Sequence, residues 1–144
     1  MSPEELAAFH ARAFPMGARG WSKVEFAGLL ERPGALLVAT PEAFALGQVA
    51  AGEAELFLIA TDPEARRAGH GAACLAEFEA KASAAGAKAV VLEVGAENAA
   101  ARGLYAAAGY AEVGKRPGYY RRPEGRPEDA LVMRKAIPAL PVAT

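Results

Sequence analysis

Two hydrophobic patterns follow one another in the first 61 residues, and each predicts a different kind of element. Apolar residues recur at helical spacing over 3–14 and 23–31, and the capping box Ser22–Glu25 precedes the second of these segments. Three strand-like runs separated by turn residues then follow, at 35–40, 44–51 and 55–61. The pattern therefore predicts two helices and then an antiparallel meander.

The rest of the chain alternates helices with strands. It predicts a long helix over 71–85 that Gly86 ends, a buried strand over 89–94 and a short helix that runs from the cap Asn98 to Ala108. Two further strands are predicted, at 110–115 and 130–135, with a loop between them at 116–129. The order ααβββαβαββ combines antiparallel neighbours with one parallel βαβ crossover. We therefore expect an α/β protein with a mixed sheet and helices on both faces.

Length and composition limit the classes of protein that fit. The 144 residues predict one domain over 1–137, followed by a frayed tail at 138–144. A single cysteine, Cys74, excludes an internal disulfide, and there is neither a membrane-length apolar run nor a signal-peptide pattern. We expect a cytoplasmic protein without a membrane partner.

Charge is balanced overall but not along the chain. The net charge of −1 gives no reason to expect nucleic acid as a direct partner. Residues 1–100 carry 8 Lys and Arg against 13 Asp and Glu, whereas residues 101–144 carry 8 against 4. Either these charges form ordinary solvated faces, or an acidic approach for a cationic amine lies beside a basic end that binds a polyanion.

The segment after the third predicted strand has the features of an anion site. Arg66, Gly69 and Gly71 form an R-x-x-G-x-G loop directly before a helix, where backbone amides and the helix dipole favour a pyrophosphate. A Walker loop would need Gly-Lys-Ser/Thr, and a dinucleotide fingerprint would need glycine where Cys74 stands. An acetyl-CoA loop and an ordinary strand–helix turn both remain open.

Two further residues are candidates for acid–base chemistry. Glu93 interrupts the apolar strand 90–94, so it is either solvated at a strand end or a proton acceptor made more basic by apolar neighbours. Tyr105 is either a core residue or an acid for a departing thiolate. The sequence lacks the residues that a hydrolase or a metal site needs. Cys74 lies in an apolar stripe, and only His10 and His70 accompany it.

Together these motifs resemble the core of the GNAT superfamily of acetyltransferases. The resemblance rests on the segments 56–63, 66–71, 92–94, 98–101, 104–105 and 109–110. Outside this core, His10, Trp21, Phe26, the pair Tyr119-Tyr120 and the segment 125–130 are similar to the RimI branch. Members of that branch acetylate the N-terminal alanine of a small-subunit ribosomal protein.

The resemblance implies a fold, a co-substrate and a role for each matching residue. The fold would be that of the GNAT acyltransferases, acetyl-CoA would be the acetyl donor, and no metal would be needed. Glu93 would act as general base, Tyr105 as general acid, and Tyr119 and Tyr120 would line the groove for the acceptor's N-terminus. The residues implied to contact the cofactor are Ile59, Ala60, Thr61, Arg66, Arg67, Ala68, Gly69, His70, Gly71, Ala72, Asn98, Ala101 and Tyr105.

The sequence departs from the family pattern at three places. Thr61 and His70 replace the usual valine and leucine, but neither side chain is needed for the backbone contacts. Arg116-Pro117-Gly118 precedes the tyrosine pair where some members have asparagine, and this loop would shape the acceptor site. A second hypothesis therefore has a small amine or a lysine side chain as acceptor, attracted by acidic residues such as Glu53 and Glu55. A CoA-binding module without turnover is the third hypothesis, because a fold does not guarantee an activity.

Overall fold

The computed structural model describes residues 1–13, 21–65, 68–121, 125 and 127–138, and at Arg121 it describes the backbone. Within these ranges the predicted order of elements is confirmed, with one added 3₁₀ turn at Pro63–Ala65. The elements are α1 (Pro3–Ala13), α2 (Lys23–Leu30), β1 (Ala35–Ala39), β2 (Ala43–Ala50), β3 (Glu53–Thr61), α3 (His70–Ala84), β4 (Ala89–Gly95), α4 (Ala99–Ala107), β5 (Ala111–Arg121) and β6 (Pro127–Ala136).

One six-stranded sheet organises the chain in the order β1-β2-β3-β4-β6-β5. The β3–β4 pair is parallel, and every other neighbouring pair is antiparallel. Helix α3 makes the crossover between the two parallel strands, as the sequence pattern predicted. The expected mixed, mostly antiparallel sheet is confirmed, and β6 lies between β4 and β5.

Separate hydrophobic clusters cover the two faces of the sheet. Leu75 and Phe78 of α3 and Tyr105 of α4 pack on one face with alternate residues of β2, β3, β4 and β6. Phe9 of α1 and Phe26 of α2 pack on the other face with residues of β1, β2 and β3 only. Helices therefore cover both faces, but α1 and α2 cover only the β1–β3 half of theirs.

A β-bulge in β3 connects these two cores. The register pairs Leu46 with Leu58 and Gly47 with Leu56, so Phe57 is an extra residue without a cross-strand partner. An extra residue of this kind shifts the alternation of side chains by one position, so the residues after it face the opposite side of the sheet. It also bends the strand. Leu56 accordingly lies in the α3 core, whereas Leu58 lies in the α1–α2 core.

The capping box and the terminal glycine predicted at helix ends are both present. Ser22 Oγ accepts the Glu25 amide and Glu25 Oε1 accepts the Ser22 amide, both at 3.2 Å, so the predicted capping box is present. Gly86 follows α3 with φ +92°, a backbone conformation that glycine adopts without strain. Among the described residues no helix is both long and apolar enough to cross a membrane.

The predicted loop at 116–129 is wrong. Strand β5 continues to Arg121 and β6 begins at Pro127, so most of this segment is a hairpin. Pro117 and Gly118 fall in an irregular stretch of β5, because Arg116 pairs with Ala130 and Tyr120 with Glu128. Two more residues lie between these pairs on β5 than on β6, and Gly118 accommodates them with a left-handed φ of +61°.

The predicted frayed tail begins at Pro138, whose carbonyl oxygen accepts a hydrogen bond from the Ser83 hydroxyl. The remainder of that prediction, residues 139–144, lies outside the described residues, as does Phe14 at the predicted end of the first helix.

A buried histidine links α1 to the start of α2. His10 is 4% exposed, and its Nδ1 accepts a hydrogen bond of 3.0 Å from the Trp21 amide. Its ring packs edge-on against Trp21 and Phe26. Burial lowers the pKa of His10 below its ordinary value of 6.5, although the charge of Glu25 opposes that shift.

This burial predicts a loss of stability in mild acid. The unfolded chain binds a proton at His10 below about pH 6.5, whereas the folded chain resists it until a lower pH. The free energy of unfolding should therefore fall as the pH drops through and below 6.5. In His10→Asn, whose amide oxygen replaces the Nδ1 acceptor, this dependence should be shallower. Urea unfolding at pH 7.5 and pH 5.5 measures both slopes, and equal slopes would contradict the assignment.

Candidate active site

The sheet opens between its two central parallel strands. Strands β3 and β4 are paired at only three positions, the last being Leu56 with Leu92. Beyond this point β3 continues along β2 as far as Thr61, and β4 continues along β6 as far as Gly95. A gap therefore separates the two strand ends. Ile59, Ala60 and Thr61, predicted to contact a cofactor through their backbones, lie along one edge of it.

The start of α3 is built like an anion site. Gly69 is the N-cap residue with φ +82°, and glycine has no side chain to cap the amides that follow it. The first amides of a helix have no partner within the helix, so they favour an anion. Of the residues predicted to bind pyrophosphate, Ala68, Gly69, His70, Gly71 and Ala72 lie here, whereas Arg66 and Arg67 lie outside the described residues.

Gly71 brings this helix start close to β3. A Cβ atom at Gly71 would lie 3.3 Å from Thr61 Oγ1 and 3.7 Å from Leu104 of α4. The end of β3 and the first turn of α3 therefore meet at one point, beside α4. The His70 side chain instead lines a groove of about 450 Å³ between β1 and α3. His70 can thus contribute its backbone amide to the loop while its side chain lies elsewhere.

Cys74 is a core residue, as its position in an apolar stripe predicted. It is 3% exposed, and burial raises the pKa of its thiol to about 11. A thiol of this kind is protonated at neutral pH and is not an activated nucleophile. Among the described residues, no group of three His, Cys, Asp or Glu side chains is placed to hold a metal ion.

Asn98 and Ala101 meet at the start of α4. The Asn98 side chain accepts the Ala101 amide at 3.1 Å, which confirms the predicted cap. Arg102 turns back and donates to the Ala96 carbonyl at 2.9 Å. These two bonds fix the turn between β4 and α4, and so fix the orientation of the helix that carries Tyr105.

Glu93 projects from the sheet face opposite α3 and α4. Val90, Leu92 and Val94 belong to the α3–α4 core, so the residues between them in β4 point the other way. Helices α1 and α2 do not cover this half of the sheet, and the Glu93 side chain is 26% exposed. Its Oε1 lies 3.1 Å from Nη2 of Arg116. Glu93 is therefore neither buried alone nor freely solvated.

Tyr105 lies on the other face. It is 6% exposed within the α3–α4 core, where its ring packs edge-on against Tyr110 at 5.8 Å. Burial and the neighbouring Tyr120 raise the pKa of Tyr105 to about 12. Its hydroxyl is therefore protonated throughout the neutral range, which is the state that a proton or hydrogen-bond donor requires.

Tyr119 and Tyr120 lie on β5 and form an edge-to-face pair at 5.2 Å. Tyr119 is 53% exposed, whereas Tyr120 is half-buried. Burial raises the pKa of Tyr120, with a further contribution from the charge of Glu93. The charge of Glu93 raises the pKa of Tyr120, and ionised Tyr120 raises that of Tyr105, so Tyr120 lies within electrostatic range of both the predicted base and the predicted acid.

Three residues near this site had been given no specific role. Arg116 pairs with Glu93, the 5%-exposed Glu128 accepts the Glu97 amide at 2.7 Å, and Asp129 accepts the Gly118 amide at 2.8 Å. All three lie in the segment that was interpreted as a loop. The sequence pointed to them only as members of two segments, the Arg116-Pro117-Gly118 departure before the tyrosine pair and the RimI-like stretch 125–130.

The comparisons with known proteins place this geometry in a family. A model described as the acetyltransferase (GNAT) family matches residues 10–110. The chain belongs to the GNAT acetyltransferase family, which confirms the resemblance drawn from its motifs.

Particular relatives share more than the family pattern. The chain is 43% identical over 101 residues to the [Ribosomal protein bS18]-alanine N-acetyltransferase of Escherichia coli K12, and 34% identical over 91 residues to that of Haemophilus ducreyi. The E. coli match covers 70% of this chain and 64% of that protein, so the chain spans less than two thirds of that relative's length.

Solved structures give the same result for the fold. The crystal structure of the E. coli ribosomal-protein-S18-alanine N-acetyltransferase superposes with a TM-score of 0.84 at 33% identity, covering 99% of this chain and 92% of that one. Ard1 of Thermoplasma volcanium superposes with a TM-score of 0.79 at 21% identity, covering 95% and 94%, and shares the fold.

The burial of Tyr105 predicts the pH at which its phenol ionises. In a spectrophotometric titration at 295 nm, Tyr105→Phe should remove absorbance that develops near pH 12 and leave the change near pH 10 intact, because burial delays ionisation of the phenol. Far-UV circular dichroism over the same pH range checks that the fold persists. Loss of absorbance near pH 10 instead would mean that the hydroxyl of Tyr105 is solvated.

Proposed function

We propose that this protein transfers the acetyl group of acetyl-CoA to the α-amine of an N-terminal alanine, on a small-subunit ribosomal protein. One observation carries the proposal. Glu93 and Tyr105 belong to opposite faces of the sheet, and the gap between β3 and β4 connects the two faces. A thioester lying in that gap would meet a base from one side and an acid from the other.

The cofactor has a supporting surface on each side of this gap. Along the edge of β3 at Ile59, Ala60 and Thr61, the backbone groups that do not bond to β2 no longer face β4, so they are available to the amides of a pantetheine arm. The uncapped amides that follow Gly69 are placed for a pyrophosphate. Asn98 and Ala101 would line the α4 side. Arg66 and Arg67 belong to the proposed loop on the family motif alone.

The reaction needs no nucleophile from the enzyme. The amine nitrogen attacks the thioester carbon, the new C–N bond forms, and the C–S bond breaks with its electron pair on sulfur. Glu93 accepts the proton that the amine loses, directly or through a water molecule. Tyr105 donates a hydrogen bond to the departing sulfur and supplies its proton as the thiol of CoA forms.

Two observations favour a peptide as acceptor. The 43% identical relative is named for an alanine acceptor on a ribosomal protein, and the exposed Tyr119 beside the half-buried Tyr120 offers an aromatic wall to a chain terminus. A small cationic amine has less support, because Arg134 lies 3.7 Å from Glu53 and offsets the charge proposed to attract it.

Removal of either proton-transfer group should slow the reaction. Glu93→Gln and Tyr105→Phe should each lower kcat by roughly 10²–10⁴-fold, the usual contribution of general acid–base catalysis. Mass spectrometry detects the product on an alanine-starting peptide of the ribosomal protein. The controls are the same peptide blocked at its N-terminus but containing lysine, and a set of polyamines.

The outcomes separate the mechanism from the acceptor. Wild-type rates in both variants would refute the roles of Glu93 and Tyr105. Acetylation of lysine or polyamine alone would refute the peptide acceptor. Tight binding of acetyl-CoA with no product on any amine would refute turnover altogether.

Two glycines of equal strain provide a matched test of the cofactor loop. Gly69 (φ +82°) and Gly86 (φ +92°) both have left-handed backbones with open space around a new Cβ. Alanine at either position should cost about 1 kcal/mol of stability. Only Gly69→Ala should raise the Kd for CoA, by about tenfold, or roughly 1.4 kcal/mol. Calorimetric titration and urea unfolding of both variants measure this, and equal Kd values would place the pyrophosphate elsewhere.

A further inference from the structure

Arg116 contacts two parts of the candidate site at once. Its Nη2 lies 3.1 Å from Glu93 Oε1, and its guanidinium carbon lies 5.0 Å from the centroid of the Tyr119 ring. Tyr119 in turn packs edge-on against Tyr120. One side chain therefore joins the predicted base to the predicted wall of the acceptor groove.

The register of β4, β6 and β5 explains how the Arg116 side chain reaches Glu93. Arg116 pairs with Ala130 of β6, and Ala130 pairs with Gly95 of β4, two residues beyond Glu93. The short Ala130 side chain lets the long arginine side chain cross β6, while the Glu128 carboxylate fills the space beside Gly95. The bulge that follows, held by the bond from the Gly118 amide to Asp129, sets the position of Tyr119 relative to Arg116.

The electrostatics of the cluster give the arginine a role beyond packing. Glu93 and Glu128 both interact with Tyr120, and Arg116 is the cation that opposes them there. The charge-assisted contact with Glu93 restricts the carboxylate to one orientation. Arginine makes both contacts better than lysine because it is planar and can stack on a ring.

We propose that Arg116 is a positioning residue that holds the Glu93 carboxylate and the Tyr119 ring as one unit on the acceptor side of the gap. The inference rests on the proposed function, because it assigns Arg116 to the same reaction. Its consequence is that the orientation of the base and the shape of the acceptor wall are coupled through a single side chain.

The test separates kcat from KM. Arg116→Gln removes the charge and should lower kcat by about tenfold to a hundredfold, as displaced catalytic groups do. Arg116→Lys keeps the charge but loses the planar stack on Tyr119. It should restore kcat to within about threefold of wild type while the KM for the peptide stays raised by about fivefold.

A double-mutant cycle identifies the group through which Arg116 acts. In a Glu93→Gln background, Arg116→Gln should change kcat by less than about twofold, because the carboxylate that it positions is gone. Arg134→Gln is the matched control. This arginine is also exposed and paired with a glutamate, Glu53 at 3.7 Å, but the pair lies away from the gap, so kcat and KM should stay at wild-type values.

Two results would overturn the inference. One is a wild-type kcat in Arg116→Gln, and the other is an undiminished loss on adding Arg116→Gln to Glu93→Gln. Thermal unfolding of each variant excludes a folding defect, since a partly exposed ion pair contributes little to stability. Failure of the proposed function is distinct from both, because the wild-type protein would then not acetylate the peptide at all.

Discussion

The close backbone contact at Gly47 is the constraint on which the rest of the structure depends. A Cβ atom there would lie 2.1 Å from the Glu55 carbonyl oxygen and 2.7 Å from the Phe78 ring, so only glycine fits. This contact lies beside the bulge at Phe57, after which the side chains of β3 that faced the α3–α4 core face the α1–α2 core instead. Pairing between β3 and β4 ends at Leu56, one residue before the bulge. The sheet therefore opens at the same place where β3 bends and passes from one core to the other.

In the proposed mechanism the gap gives two ordinary side chains access to one space. A carboxylate on the open face of β4 and a phenol in the core beneath α4 would be separated by an intact sheet. Beyond Leu56 and Leu92, no pairing between β3 and β4 closes the sheet between them. The contrast between a buried, protonated phenol and a partly exposed, arginine-paired carboxylate suits them to opposite directions of proton transfer.

A second irregularity, in β5, shapes the other side of the site. The extra residues between Arg116 and Tyr120 are anchored by Asp129, and the same stretch carries the arginine that reaches Glu93. The interpretation of this segment as a loop failed because glycine and proline weaken strand propensity locally. Pairing with β6, a partner supplied by the fold, outweighs that weakness. The proposed catalytic side and the proposed acceptor side of the site are thus each next to a bulge.

Periodicity and caps determined most of the fold from the sequence alone, because they are local. The capping box at Ser22, the cap at Asn98 and the glycine after α3 each act within a few residues. The motif residues Gly69, Glu93 and Tyr105 were chosen by their chemistry and their place along the chain, and their roles stay a prediction. Only the tertiary structure decided that β6 lies between β4 and β5, and that Arg116 pairs with Glu93. Both depend on strand register between segments far apart in sequence, which no local pattern specifies.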